Sequence, residues 1–366
     1  MNSNRIRRLS FTLSAIVAVS AVALSSVAAD DPVSKTGTKY KADADMQAVV
    51  DELVSLGGKP IETLEPTEAR KQPSPTDAVM ALLKKKGKDT SPTALVPGVS
   101  SIDTTIPGPA STLPVRIYTP DGAGPFPVIV YYHGGGWVLA DKNVYDGGAR
   151  GIAKQANAVV VSVDYRLAPE AKFPAQHDDA LATYKWVLAN AASIKGNPKR
   201  VALAGESAGG NLALATALQA RDQKLQKPTH IIAAYPVAQA TRLDTPSYKD
   251  SATAKPLNKP MMEWFAKHMF SKAEDKKDSR IDLINANLKG LPPVTLINAQ
   301  IDPLRSDSDM LAAALKKAGV KVEHKVYEGV THEFFGMAAV VANAKDAQSL
   351  AGKNLKESFK SDASAW

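Results

Sequence analysis

The chain has 366 residues, 44% hydrophobic and 22% charged, which is enough for one large domain with a well-buried core or for two modest ones. Its formal net charge is +8, but lysines and acids are interspersed, as in "SKAEDKKDSR", and no basic stripe carries interleaved aromatics, so nucleic acid is not a favoured partner. There is no cysteine, which excludes a disulfide, a thiolate nucleophile, a cysteine metal site and a lipid-anchored bacterial lipoprotein.

Residues 1–29 read as a signal peptide. Arg5, Arg7 and Arg8 precede a serine-diluted apolar stretch from Leu9 to Val27, and small residues follow. Cleavage after Ala28 or Ala29 would remove those three charges, leave +5, and export the protein to the periplasm or beyond. The rival reading is an uncleaved membrane anchor, which the stretch is long enough to form, but it is only weakly hydrophobic and no basic stop follows it; no stable membrane insertion is expected once it is cleaved.

Residues 30–90 read as a polar linker followed by two helices. Met46, Val49, Val50, Leu53 and Leu56 share one helical face that Gly57-Gly58 stops. Ala78, Val79, Leu82 and Leu83 form a shorter pattern that Asp77 could cap. From about residue 113, strands and helices alternate. The strands are "LPVRIYTP", "FPVIVYY", "AVVVSVDY", "RVALAGE", "HIIAAYPV", "PVTLINAQ" and "VKVEHKVY", several of them apolar throughout, as strands covered on both faces are. Helical patterns run over 178–190, 208–223 and 307–317. The fold class is therefore α/β with a mostly parallel sheet, set in a domain spanning 91–366. Residues 241–290 break the rhythm and read as a helical insert over one end of the sheet.

In such sheets ligands sit at the carboxyl ends of the strands. After "RVALA" comes Gly205-Glu206-Ser207-Ala208-Gly209, a G-x-S-x-G turn between a strand and a helix. The turn is tight enough to need glycine on both sides, and it lifts the Ser207 hydroxyl above the sheet. A serine needs a base. Of six histidines, His332 in "EGVTHEFFG" follows the last strand on the same edge, whereas His324 has the parity of a residue packed on the sheet. A base needs an orienting carboxylate, and Asp302 ends the strand "VTLINAQI". Asp307 and Asp309 fall inside the next helix as capping groups, and Glu206 points away along the elbow. Ser207, Asp302 and His332 stand in the chain order that α/β-hydrolases use. Their base should feel two opposed influences, the Asp302 charge raising its pKa and burial lowering it.

The run His133-Gly134-Gly135-Gly136 follows "FPVIVYY". Acyl transfer builds an oxyanion that needs unobstructed N–H donors, so Gly134 and Gly135, with Ala208 at the helix start, are the expected oxyanion hole. Neither glycine stretch fits a dinucleotide or P-loop pattern, and no two histidines have zinc-ligand spacing, so neither cofactor nor metal is expected.

Taken together, "HGGGW", "VDYRLAPE", "FPAQHDDA", "GESAGGNLA", "DPLRSD" and "HEFFG" resemble the hormone-sensitive lipase branch of the α/β-hydrolases, the bacterial family IV carboxylesterases, from about Met46 to the C-terminus. The resemblance implies an eight-stranded sheet, a cap built from the N-terminal helices and the 241–290 insert, and serine carboxylesterase activity on short-to-medium acyl esters. It places nucleophile, acid and base on Ser207, Asp302 and His332, and oxyanion donors on Gly134, Gly135 and Ala208. Arg166 and Glu170 look like braces of the sheet edge. The chain departs from the family where Glu206 replaces an aspartate, where "HEFF" replaces a histidine-glycine-phenylalanine pattern, and where "DPLRSD" replaces "DPLRDE". An amidase or deacetylase would use the same residues, a catalytically silent ligand-binding protein of this fold is the reading from another class, and a homodimer is compatible with either.

Overall fold

The computed structural model describes residues 38–362, so the signal-peptide segment 1–29 lies outside the described residues. Eight strands form one sheet: β1 (Val99–Pro107), β2 (Thr112–Pro120), β3 (Phe126–Tyr132), β4 (Val159–Val163), β5 (Gly196–Glu206), β6 (Ile231–Ala234), β7 (Val294–Ile301) and β8 (Val322–Thr331). Their spatial order is β1-β2-β4-β3-β5-β6-β7-β8. β1 and β2 are antiparallel to their neighbours, and β3 to β8 run parallel.

The apolar strand runs are two-sided. In β3, Val128, Val130 and Tyr132 face one core, with helices Ala175–Asn190, Ala208–Asp222 and Arg305–Lys317. Ile129 and Tyr131 face the other, with helices Asp146–Ala156 and Ala342–Ser358. A strand buried on both faces cannot alternate polar with apolar residues, hence the unbroken runs. All seven strands read from the sequence are present. The eighth, β1, escapes a hydrophobic reading because only Val99 and Ile106 of its nine residues are buried at this sheet edge. Helices Asp146–Ala156 and Ala342–Ser358 also escape it, since the residues they bury are mainly glycine and alanine, which carry little hydrophobic signal.

The two N-terminal helices form as Ala44–Ser55 and Pro75–Lys85, packed together through Met46, Val49, Ala78, Val79 and Leu83. The cap of the second differs from expectation. Ser74, not Asp77, is the N-cap; its hydroxyl accepts from the Asp77 amide, and the Asp77 carboxylate accepts from the Ser74 amide. Asp77 thus sits at the third helical position and closes a reciprocal box.

The insert folds into helices Pro246–Asp250 and Lys259–Met269 and a 3₁₀ turn Ala273–Lys277. It lies over the carboxyl edge. Phe265 packs against Gly136 after β3, and Ser247 bonds to Pro303 after β7. A stretch between the two N-terminal helices reaches it, where Trp264 donates its indole N–H to the Leu64 carbonyl at 3.0 Å. Among the described residues no helix is long and apolar enough to cross a membrane.

Ser74→Ala should cost about 1 kcal/mol of unfolding free energy, since the Asp77 amide loses its acceptor at a helix end. Urea denaturation measures this; an unchanged midpoint would mean that the box contributes nothing beyond solvent.

Candidate active site

Four loops at the carboxyl ends of β3, β5, β7 and β8 bring the expected residues together. Ser207 follows β5 directly, with φ 56° and ψ −117°, a backbone conformation that non-glycine residues seldom adopt. The elbow leaves no space for side chains at its flanks. A Cβ on Gly205 would strike the Gly209 carbonyl, and one on Gly209 would strike the Tyr132 carbonyl at the end of β3.

The turn hands Ser207 to a histidine already held on its other side. His332, just past β8, has Nε2 2.9 Å from the Ser207 Oγ and Nδ1 2.7 Å from the Asp302 Oδ2. A carboxylate at Nδ1 fixes the proton there, so Nδ1–H donates to Asp302 and Nε2 is free to accept the Ser207 hydroxyl. The second Asp302 oxygen accepts the Leu304 amide at 2.8 Å. All three side chains are withdrawn from solvent: Ser207 is 5% exposed, His332 2% and Asp302 0%.

Asp302 is held through the insert. Ser247 donates its hydroxyl to the Pro303 carbonyl at 2.6 Å and accepts the Ser306 amide at 3.0 Å, while its own amide donates to the Ser306 hydroxyl. Asp307 is not a capping group as the sequence suggests. It is buried, accepts the Gln239 side-chain amide at 2.8 Å, and burial pushes its carboxyl up to about 7. Asp309 approaches His324, not His332. The other histidines have structural partners: His177 bonds Asn211, His230 bonds Thr295, and His133 stacks on Tyr165 with ring centres 4.2 Å apart.

Beside the Ser207 hydroxyl lies the glycine run. Gly135 and Gly136 have φ of +85° and +59°. Among the described residues, no acceptor takes the Gly134 or Gly135 amide. The Ala208 amide opens its helix and so lacks an intrahelical partner. The glycines are also demanded by packing. A Cβ on Gly134 would hit the Tyr145 hydroxyl, one on Gly135 the Leu139 carbonyl, and one on Gly136 the Phe265 ring.

Arg166 and Glu170 are structural, though not at the sheet edge. Arg166 grips the buried Asp179 at 2.7 Å, tying the loop after β4 to helix Ala175–Asn190, and Glu170 pairs with Arg70 of the N-terminal segment at 2.7 Å.

Around the triad stands a polar cluster that motif reading misses. Glu206 does point away from Ser207, into the Tyr131 and Tyr235 hydroxyls, both of which donate to it. The Tyr235 ring lies 4.5 Å from that of His332. Tyr145 donates to Glu333 at 2.6 Å. Burial, with Glu333 nearby, pushes Glu206 up to about 8. The one sequence signal was the pair of departures, Glu206 and "HEFF"; the tyrosines carry none.

A family description reading alpha/beta hydrolase fold matches residues 129–336, more than half of the chain. The chain belongs to the α/β-hydrolases, in the hormone-sensitive lipase branch. This hydrolase is 39% identical over 240 residues to the carboxylesterase NlhH of Mycobacterium tuberculosis, covering 64% of this chain and 75% of that one. It is 32% identical over 292 residues to an ethyl acetate hydrolase of Pseudomonas putida, covering 78% and 88%. A Pyrobaculum calidifontis esterase structure superposes with a TM-score of 0.75 at 33% identity, covering 83% of this chain and 97% of that one. The hydrolase is thus a carboxylic ester hydrolase.

The opposed influences on its histidine resolve upward. Burial alone would lower the His332 pKa, but the Asp302 charge and hydrogen bond, with Glu333 and Glu206 beyond, raise it above the ordinary value. Neutral His332 is the form that can accept the Ser207 proton. kcat/KM should therefore rise with pH in one step whose midpoint lies above about 6.5. A pH–rate profile with its midpoint below that value would mean that burial outweighs the carboxylates.

Proposed function

We propose that Ser207, His332 and Asp302 hydrolyse short-to-medium acyl-chain esters through an acyl-enzyme. The supporting observation is the unbroken hydrogen-bonded line from Oγ through both imidazole nitrogens to Asp302. Ser207 attacks the ester carbonyl while His332 takes its proton, and the proton then goes to the leaving alcohol. Water enters, gives a proton to His332, and releases the acid. Asp302 holds the tautomer and balances the imidazolium charge. The Gly134, Gly135 and Ala208 amides receive the oxyanion, a role worth about 10²–10³ in rate per donor. The 241–290 insert with the 61–70 segment acts as a cap that bounds the acyl chain. The named ester of the Pseudomonas putida relative, ethyl acetate, supports the short end of the range. An amide substrate would use the same groups, and comparing p-nitrophenyl acetate with an acetanilide separates the two.

Ser207→Ala should fold normally and lose at least roughly 10⁴ in kcat. A serine-reactive organophosphate should abolish activity, with its adduct on the Ser207 peptide by mass spectrometry. Adduct formation on another residue would remove Ser207 from the mechanism. Asp302→Asn should cost about 10⁴ by favouring the wrong tautomer. Asp307→Asn should leave the rate within about tenfold, because its carboxylate faces Gln239; the reverse order of effects would make Asp307 the acid.

Export rests on the sequence of residues 1–29 alone. N-terminal sequencing of protein recovered outside the cytoplasm should start at Ala29 or Asp30. An intact Met1 there would mean that the segment is retained.

A further inference from the structure

One charged side chain at the site has no part in the triad. Glu333 follows His332 with φ 72° and ψ 0°, a left-handed conformation that disfavours any side chain beyond glycine, asparagine or aspartate. At this edge Gly135, Gly136 and Gly329 meet the same demand without a side chain, while Trp137, Ala140 and Ser207 meet it, like Glu333, with one. A glutamate kept in such a backbone well needs a compensating role.

Its side chain shows one. Glu333 Oε1 lies 3.8 Å from His332 Nε2, the nitrogen that faces Ser207. The Tyr145 hydroxyl pins that oxygen at 2.6 Å, and the same hydroxyl closes the space beside Gly134. The carboxylate therefore sits between the glycine loop and the imidazole. It keeps 19% of its side-chain surface exposed, whereas Glu206 is sealed at 1%. Burial raises the Glu333 carboxyl as well, but the His332 charge and the Tyr145 hydrogen bond pull it back down, whereas Glu206 is pushed up to about 8; the charge is therefore better held on Glu333 than on Glu206.

We propose that Glu333 is a second carboxylate of the site, a positioning residue that acts through His332 by stabilising the imidazolium from its Nε2 side while Asp302 does so from Nδ1. This rests on the triad reading given above. In acylation the Ser207 proton moves to Nε2 as Oγ bonds to the carbonyl carbon, and it leaves on the alcohol oxygen as the ester C–O bond breaks. In deacylation a water proton moves to Nε2 as its oxygen bonds to the acyl carbon, and it returns to Ser207 as the acyl–Oγ bond breaks. The ring is positive in both transition states, and Glu333 neither gives nor takes a proton. The groups facing His332 are Asp302 from the loop after β7, Glu206 from the end of β5, the Tyr235 ring after β6, and Glu333 itself. Those facing Glu333 are Tyr145, His332 and Asp302, and its charge is felt by Glu206, Tyr131, Tyr165 and Tyr235.

Two variants test this. Glu333→Gln keeps the size and an acceptor oxygen for Tyr145 but removes the charge. Glu333→Gly removes the charge and relieves the left-handed backbone, so it folds even if the amide does not. With p-nitrophenyl butyrate between pH 5 and 9, both should move the acid limb of kcat/KM to lower pH, because losing a negative neighbour favours neutral imidazole. Both should lower the limiting kcat about tenfold with KM within about twofold. A midpoint and kcat like those of the unchanged protein in either folded variant would overturn the proposal, since a purely structural glutamate would move neither. Organophosphate labelling of the same preparations separates the two levels. A normal Ser207 adduct with unchanged profiles defeats only the role of Glu333, while an adduct elsewhere defeats the triad reading and this one together.

Discussion

The first turn of the helix behind Ser207 lies directly against the end of β3. A Cβ on Gly209 would collide with the Tyr132 carbonyl and come within 2.5 Å of the His133 carbonyl. This contact locks two loops to each other, the elbow that carries the hydroxyl and the glycine run whose amides face it. Neither could shift without pushing backbone into backbone, and close-packed interiors resist that strongly. The strain at Ser207 persists because its surroundings over-determine it: its amide donates to the Ala234 carbonyl of β6, and its carbonyl accepts from Val237.

Around that fixed point the fold places an unusual concentration of acid. Asp302, Glu206 and Glu333 approach one imidazole, with tyrosine hydroxyls as the main local donors. In a medium of low polarity three full charges could not coexist there, so protonation of Glu206, whose carboxyl burial pushes up to about 8, relieves the repulsion. The tyrosines themselves are pushed far above their ordinary range by burial and by these carboxyls, and so remain donors throughout the working pH range.

Much of this was legible in the sequence because chemistry restricts the residue types. A nucleophile elbow needs glycines at fixed spacing, and a triad needs a carboxylate and a histidine at strand ends, so Ser207, Asp302 and His332 could be picked by edge and order. The two-sided strands were legible for a similar reason, since burial on both faces leaves only apolar residues. What stayed hidden depends on three-dimensional proximity or on weak contrast. Strand β1 looks polar because its side chains face solvent at the sheet edge. Helix Asp146–Ala156 has glycines where it meets Glu206 and Gln348, so its buried face reads as a loop. Asp307 sits at a capping offset, yet its carboxylate turns inward to Gln239, a partner 68 residues away. Tyr145 and Glu333 are 188 residues apart, and no local pattern announces their bond.

The reciprocal bonds between Ser247 and Ser306 join the first helix of the insert to the loop that bears Asp302. Tyr248 and Ser251 are buried beside it. A flap hinged at residue 241 would tear this seam and pull on the acid during every opening. Helix Pro246–Asp250 therefore belongs with the acid-bearing loop to the fixed frame of the site, and part of the inserted segment is a support of the triad.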